Sequence, residues 1–231
     1  MKVLSAIQPT IRKDFVAIGN ESIIWNGLQK RAWGLYSDSI SMFQPKASPS
    51  FHHSTQMSVN SHQHNNLVEV DMITPVPCSM ESISKMLWKE LNSVRQYPDK
   101  WYQTVRTAEK KYTMLVRNQS QMLELTGMQF GCRFDEPTRT VFVAADTMLI
   151  GTIGLQFWNN YWIVVSPSSI DPVNSSVVSM CVRLSAHTKE EFSEDITFVK
   201  DMVLTNLCSR FRQFSQFLQN WLVEEAERMR Q

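Results

Sequence analysis

The sequence lacks the short motifs that most often mark an enzyme. It has no Gly-x-Gly-x-x-Gly turn or Gly-x4-Gly-Lys-Ser/Thr loop for phosphate, no Gly-x-Ser-x-Gly elbow for a serine nucleophile, and no His-Glu-x-x-His helix for zinc. No histidine stands beside a cysteine or serine in a setting that would activate a nucleophile, so the chain is expected to be non-enzymatic, with no catalytic residues and no cofactor. Cys78, Cys132, Cys181 and Cys208 are widely spaced and form no Cys-x-x-Cys pair, which argues against a zinc cage, a redox motif or a disulfide framework. They read as buried, reduced thiols, and reduced thiols suit the cytoplasm, with the nucleus also open.

Charge of one sign is missing too. Lys plus Arg number 23 against 22 for Asp plus Glu, so no overall positive field draws the chain to nucleic acid or to an anionic membrane. The apolar run Tyr161–Val165 is five residues long, against the roughly 20 that a membrane helix needs, and no stable membrane insertion is expected. The first residues, MKVLSAIQPTIRK, have too short an apolar stretch for a signal peptide.

What is present is core material and clear periodicity. Hydrophobic residues make up 43% of 231, enough for a domain with a sizeable interior. Residues 1–43 hold one helix, over Glu21–Tyr36, with Ile24, Leu28, Ala32 and Leu35 at helical spacing. Residues 44–66 are rich in Ser, Asn and His and read as a flexible insert. His52, His53, His62 and His64 lie in this tract without acidic or thiol partners, and no metal site is expected there. The main domain is placed at 67–231, with 19–43 able to pack onto it.

Within that domain Leu67–Met72 reads as a strand, and Ile83, Met86, Leu87 and Leu91 mark a helix from Ser79. Strand material then fills about Trp101–Ala186. Met128, Phe130, Cys132 and Phe134 alternate with Gln129, Gly131 and Arg133, whereas before Gly127 the apolar pair is Leu123 and Leu125. That change of phase predicts a bulge or sharp bend at Gly127. Asp135–Pro137 and Pro167–Asn174 close two hairpins, and the last strand carries Val178, Met180, Val182 and Leu184 on one face. From Ser193, a plausible N-cap, a helix runs nearly to Gln231. At 1.5 Å per residue it would be roughly 50 Å long, so its end is expected to project or to pack on another chain near Trp221 and Leu222.

Two carboxylates and one arginine fall inside strands. Glu124 and Asp146 are read as solvent-facing or salt-bridged. Arg183 faces outward on the alternation alone, although a cavity arginine would fix the polar head of a ligand, and it is kept among the candidates.

The segment Tyr161–Leu184, YWIVVSPSSIDPVNSSVVSMCVRL, resembles the paired C-terminal strands of START-like (StAR-related lipid-transfer) domains. Phe192–Ala226 is similar to the terminal helix of a divergent START-like group of microbial eukaryotes, and Leu67–Leu91 fits the start of the same domain. The resemblance implies an α+β helix-grip fold, a curved antiparallel sheet around a long C-terminal helix, and a hydrophobic small molecule or lipid as partner. Such domains have no universal catalytic motif, so the resemblance transfers no catalytic residue, and attachment to DNA-binding partners is not expected. On the strand and helix faces, Met128, Phe130, Cys132, Met180, Val182, Leu207, Phe211, Phe214 and Arg183 are the candidate cavity-lining residues, with the terminal helix as a lid hinged at 185–193. A filled core serving as a regulatory protein-interaction module is one alternative, and a cyclase-like or hydrolytic enzyme on the same fold, which requires an acid or base pointing into a cavity, is another.

Overall fold

The structure, a computed structural model, describes residues 21–43, 55–62, 67–94, 97–106, 108–117, 122–187 and 194–229. The chain opens with helix α1 (Glu21–Met42), then strands β1 (Gln56–His62) and β2 (Leu67–Val76) and helix α2 (Met80–Asn92). Six strands follow: β3 (Lys100–Val105), β4 (Glu109–Arg117), β5 (Met122–Glu136), β6 (Arg139–Ile150), β7 (Leu155–Pro167) and β8 (Ser176–His187). Helix α3 (Glu194–Arg228) ends the described chain. All eight strands form one antiparallel sheet in the order β1-β2-β8-β7-β6-β5-β4-β3. The right-handed twist of such long strands coils the sheet, and α2 and α3 fill its concave side. The fold is α+β, with a curved sheet gripping its C-terminal helix.

Local sequence explains the helix positions. Ser79 caps α2, its hydroxyl accepting from the Ser82 amide, and Ile83 and Leu87 then meet the sheet from one face. In α1 the buried positions are Leu28, Ala32, Leu35 and Ser39. This face lies on the convex side of the sheet, against β5, β6 and β7, and Trp162 donates its indole N–H to the Leu35 carbonyl at 2.8 Å. The N-terminal helix is thus packed onto the sheet.

Helix α3 is long because it crosses two cores. Val203, Leu204 and Leu207 pack with Tyr112, Met114, Met148 and Phe157, while Leu218, Leu222 and Ala226 pack with Val70, Val178 and Met180. Its C-terminal turns do not project: Leu222 is fully buried and Trp221 packs on the same cluster. The expected partner surface at these two residues is therefore corrected. Gln219 also reaches β2, donating to the Thr74 hydroxyl at 3.3 Å.

Two further expectations change. The register of β5 with both neighbours runs unbroken through Gly127, so there is no bulge. The phase change there records a change of cover. Leu125 faces α3 with Tyr112 and Met114, while Met128, Phe130, Cys132 and Phe134 pack on the α1 side. Part of the Ser/His-rich segment is ordered as well, since Gln56–His62 pairs along β2 as an edge strand. His52, His53 and His64 and the N-cap Ser193 lie outside the described residues, as does most of the 185–193 connection.

Candidate functional site

Between the concave face, the end of α2 and the middle of α3 lies a cavity of about 710 Å³. Phe142, Ala144 and Met148 of β6 form its floor, and Phe211, Phe214 and Phe217 of α3 its roof. Ser93, Tyr97, Pro98, Ser209 and Gln213 are exposed lining residues, which places the solvent side between α2 and α3. Two cross-connections frame this rim. Arg210 of α3 makes a two-pronged ion pair with Asp99, its Nη1 at 3.0 Å from Oδ1, and also donates to the Leu115 carbonyl at 2.8 Å. Lys110 donates to the Leu91 and Ser93 carbonyls at the C-terminal end of α2, where a cation complements the helix dipole.

One wall of the cavity is polar. Asp146 of β6 pairs in register with Asn159 of β7, and Ala144 pairs with Tyr161, so Asp146, Asn159 and Tyr161 share the concave face. Tyr112 of β4 donates its hydroxyl to the Asp146 carboxylate, at 2.7 Å from Oδ2 and 2.9 Å from Oδ1. Its ring lies across Gly127, where a Cβ would stand 2.2 Å from the ring. Lys100 of β3 stacks on the same tyrosine, with Nζ 3.7 Å from the Tyr112 ring centroid and 5.0 Å from that of Tyr102.

Burial dominates the electrostatics. It pushes the Asp146 carboxyl up to about 7, against the pull of Lys100 and hydrogen bonds from Tyr112 and Asn159. It brings the Lys100 amine down to about 8, with Asp146 opposing the shift. Burial and then the Asp146 charge raise the Tyr112 phenol, and burial raises Tyr161. Two buried atoms of this wall have no hydrogen-bond partner, the Tyr161 hydroxyl and Asn159 Oδ1. Each such group costs about 1–3 kcal/mol unless something in the cavity meets it.

The structure divides the candidates from the sequence. Leu207, Phe211 and Phe214 line the cavity, and Cys132 borders it while packing toward α1. Met180 and Val182 are on the concave face but in the closed core beside the cavity. Met128 and Phe130 lie on the opposite face under α1, because the apolar alternation of β5 there matches the convex cover. Arg183 is also on that face, paired with Glu69 and 5.5 Å from the Trp162 ring centroid, so it is not a cavity arginine. Glu124 is exposed, whereas Asp146, expected to be solvent-facing or salt-bridged, is buried in the wall. Lys100, Tyr112, Asn159 and Tyr161 were not singled out in sequence. An acid inside the apolar run VFVAADTMLI was the one available signal.

A second cluster lies on β2 and β8, where ligand atoms of Glu69, Asp71 and Cys181 stand within 4.8 Å of one another. Arg183 already neutralises Glu69, and burial, then Asp71, raises the Cys181 thiol, so this set does not suit a thiolate-bound metal.

No protein-family model and no curated protein matches the chain. Among solved structures it is similar to the lipid transfer and protein localization domain of human StarD13 (DLC2), with 10% identity over 76% of this chain and 94% of that one and a TM-score of 0.34. It is similar to human StAR-related lipid transfer protein 5, with 8% identity over 80% and 97% of the two chains and a TM-score of 0.33. A STAR-related lipid transfer protein from Xanthomonas axonopodis matches with 11% identity over 72% and 97%, at a TM-score of 0.36. These identities transfer no ligand and no activity. No described helix is long and apolar enough to cross a membrane.

Proposed function

We propose that this chain is a START-like domain, of the divergent group its terminal strands and helix resemble, that binds one hydrophobic small molecule or lipid and does so without converting it. The observation that carries this reading is the cavity of about 710 Å³ with an aromatic roof and an apolar floor. Its volume falls within the roughly 300–1,000 Å³ of sites that enclose a single drug-sized molecule. Apolar surface on both sides gives an apolar guest its driving force, at about 25 cal/mol per Å² removed from water. The exposed rim between α2 and α3 is the route of entry, and a balanced net charge fits a partner that is neither nucleic acid nor an anionic membrane. The cytoplasm is the compartment that suits its free thiols.

Titration of the chain with Nile red tests this directly. Saturable binding of one dye per chain, lost in a folded Ala144→Phe variant whose ring occupies the cavity floor, is the expected result. Non-saturable partition, or binding unchanged by that substitution, contradicts the reading.

A further inference from the structure

We propose that the polar wall of this cavity selects an uncharged head group that both donates and accepts a hydrogen bond: an alcohol carried on an apolar chain or ring. The inference rests on the ligand-binding reading above and adds what the site recognises. Tyr161 is 8% exposed and Asn159 2%, and both hold a buried polar atom without a partner on the face that lines the cavity. They are two residues apart on β7, so both residues stand on the face that lines the cavity. Asn159 Oδ1 can only accept, whereas the Tyr161 hydroxyl can donate. A hydroxyl offers what each lacks, a hydrogen for Asn159 Oδ1 and a lone pair for the Tyr161 hydroxyl.

The charges nearby point the same way. Lys100 meets tyrosine rings rather than a hydrogen-bond acceptor among the described residues, and Asp146 is held by Tyr112 and Asn159. One ammonium and one carboxylate give the wall no net charge when both are ionised. A carboxylate head would approach Lys100 but also Asp146, and an ammonium head would meet the reverse. Either would leave water for one attraction and one repulsion. A ketone or aldehyde only accepts, which leaves Asn159 Oδ1 unpaired.

Competition against bound Nile red with decan-1-ol, decanoate, decylammonium and decanal, at neutral pH on the full chain, separates these cases. Decan-1-ol is expected to bind about tenfold or more tighter than the other three, since a site built for a hydroxyl rejects analogues that lack it. Tyr161→Phe should remove most of that advantage. Lys100→Met should move the preference to decylammonium and Asp146→Asn to decanoate, each in variants that retain the wild-type circular dichroism. Equal displacement by all four probes overturns the head-group assignment and leaves the apolar cavity standing. Discrimination unchanged in Tyr161→Phe, with no exchange of preference in the two charge variants, overturns it as well. No Nile red binding at all removes the reading beneath it, and the assignment with it.

Discussion

The hydroxyl of Tyr112 donates to both oxygens of Asp146, at 2.7 and 2.9 Å, and so ties β4 to the buried acid of β6 across the intervening strand β5. Burial raises that acid from 3.8 to about 7, so between these values the native state holds a proton that the unfolded chain has released. Stability must then fall as pH rises from about 4 to about 7, by a few kcal/mol at ~1.4 kcal/mol per unit. Lys100, lowered to about 8, is protonated in both states over that window and adds no slope. Asp146→Asn keeps the shape and cannot titrate. Its melting temperature relative to wild type should rise between pH 4.5 and 7 and level off above that, and parallel curves for the two proteins would contradict the raised carboxyl of Asp146.

Gly127 is required by the same tyrosine. A Cβ at this position would stand 2.2–2.5 Å from Tyr112 ring and hydroxyl atoms, closer than any side chain tolerates. Gly127→Ala should therefore cost about 1–3 kcal/mol by overpacking. In a double-mutant cycle with Tyr112→Leu the penalty should shrink, because the smaller side chain leaves space, and denaturant unfolding reads the coupling. Additive costs would show that the ring and the glycine do not meet.

Helix α1 covers Met128, Val143 and Trp162 on the convex face, with Leu28 1% exposed. Leu28→Ala should cost about 2–5 kcal/mol, as expected of a fully buried leucine. A change below about 0.5 kcal/mol in the unfolding free energy, the range of ordinary surface substitutions, would mean that α1 is not part of the cooperative unit.

The ion pair of Arg210 with Asp99 ties α3 to the segment before β3 at the rim of the cavity. Both side chains are about a quarter exposed, so their contribution to stability is modest, about 1 kcal/mol or less after screening. Its effect should appear in kinetics. Asp99→Asn is expected to speed release of bound Nile red several-fold in stopped flow, more at low salt than at high. Identical release rates at both salt concentrations would place the exit elsewhere.

Much of the architecture is written in hydrophobic period. The spacing through Val203, Leu207, Leu218 and Leu222 marks α3, and Ile83 with Leu87 marks α2. Alternation along Val178, Met180 and Val182 marks β8. Alternation shows that one face of a strand is buried but not which helix buries it. For that reason Met128 and Phe130 were assigned to the cavity, and the phase change at Gly127 resembled a bulge. The edge strand β1, QMSVNSH, needs no apolar face and leaves no periodic trace. The polar wall was illegible for another reason: Lys100, Tyr112, Asp146 and Asn159 come from four strands, and only sheet register brings them together.

The central claim is that the gap between the sheet and α3, not the packed α1 side, receives an apolar guest. Methionine methyl groups report on both places, since Met114 and Met148 line the cavity and Met128 lies beneath α1. In methyl-labelled protein with bound decan-1-ol, intermolecular NOEs from the decyl chain are expected at Met114 and Met148 and none at Met128. NOEs at Met128, or none at either cavity methionine, would contradict it.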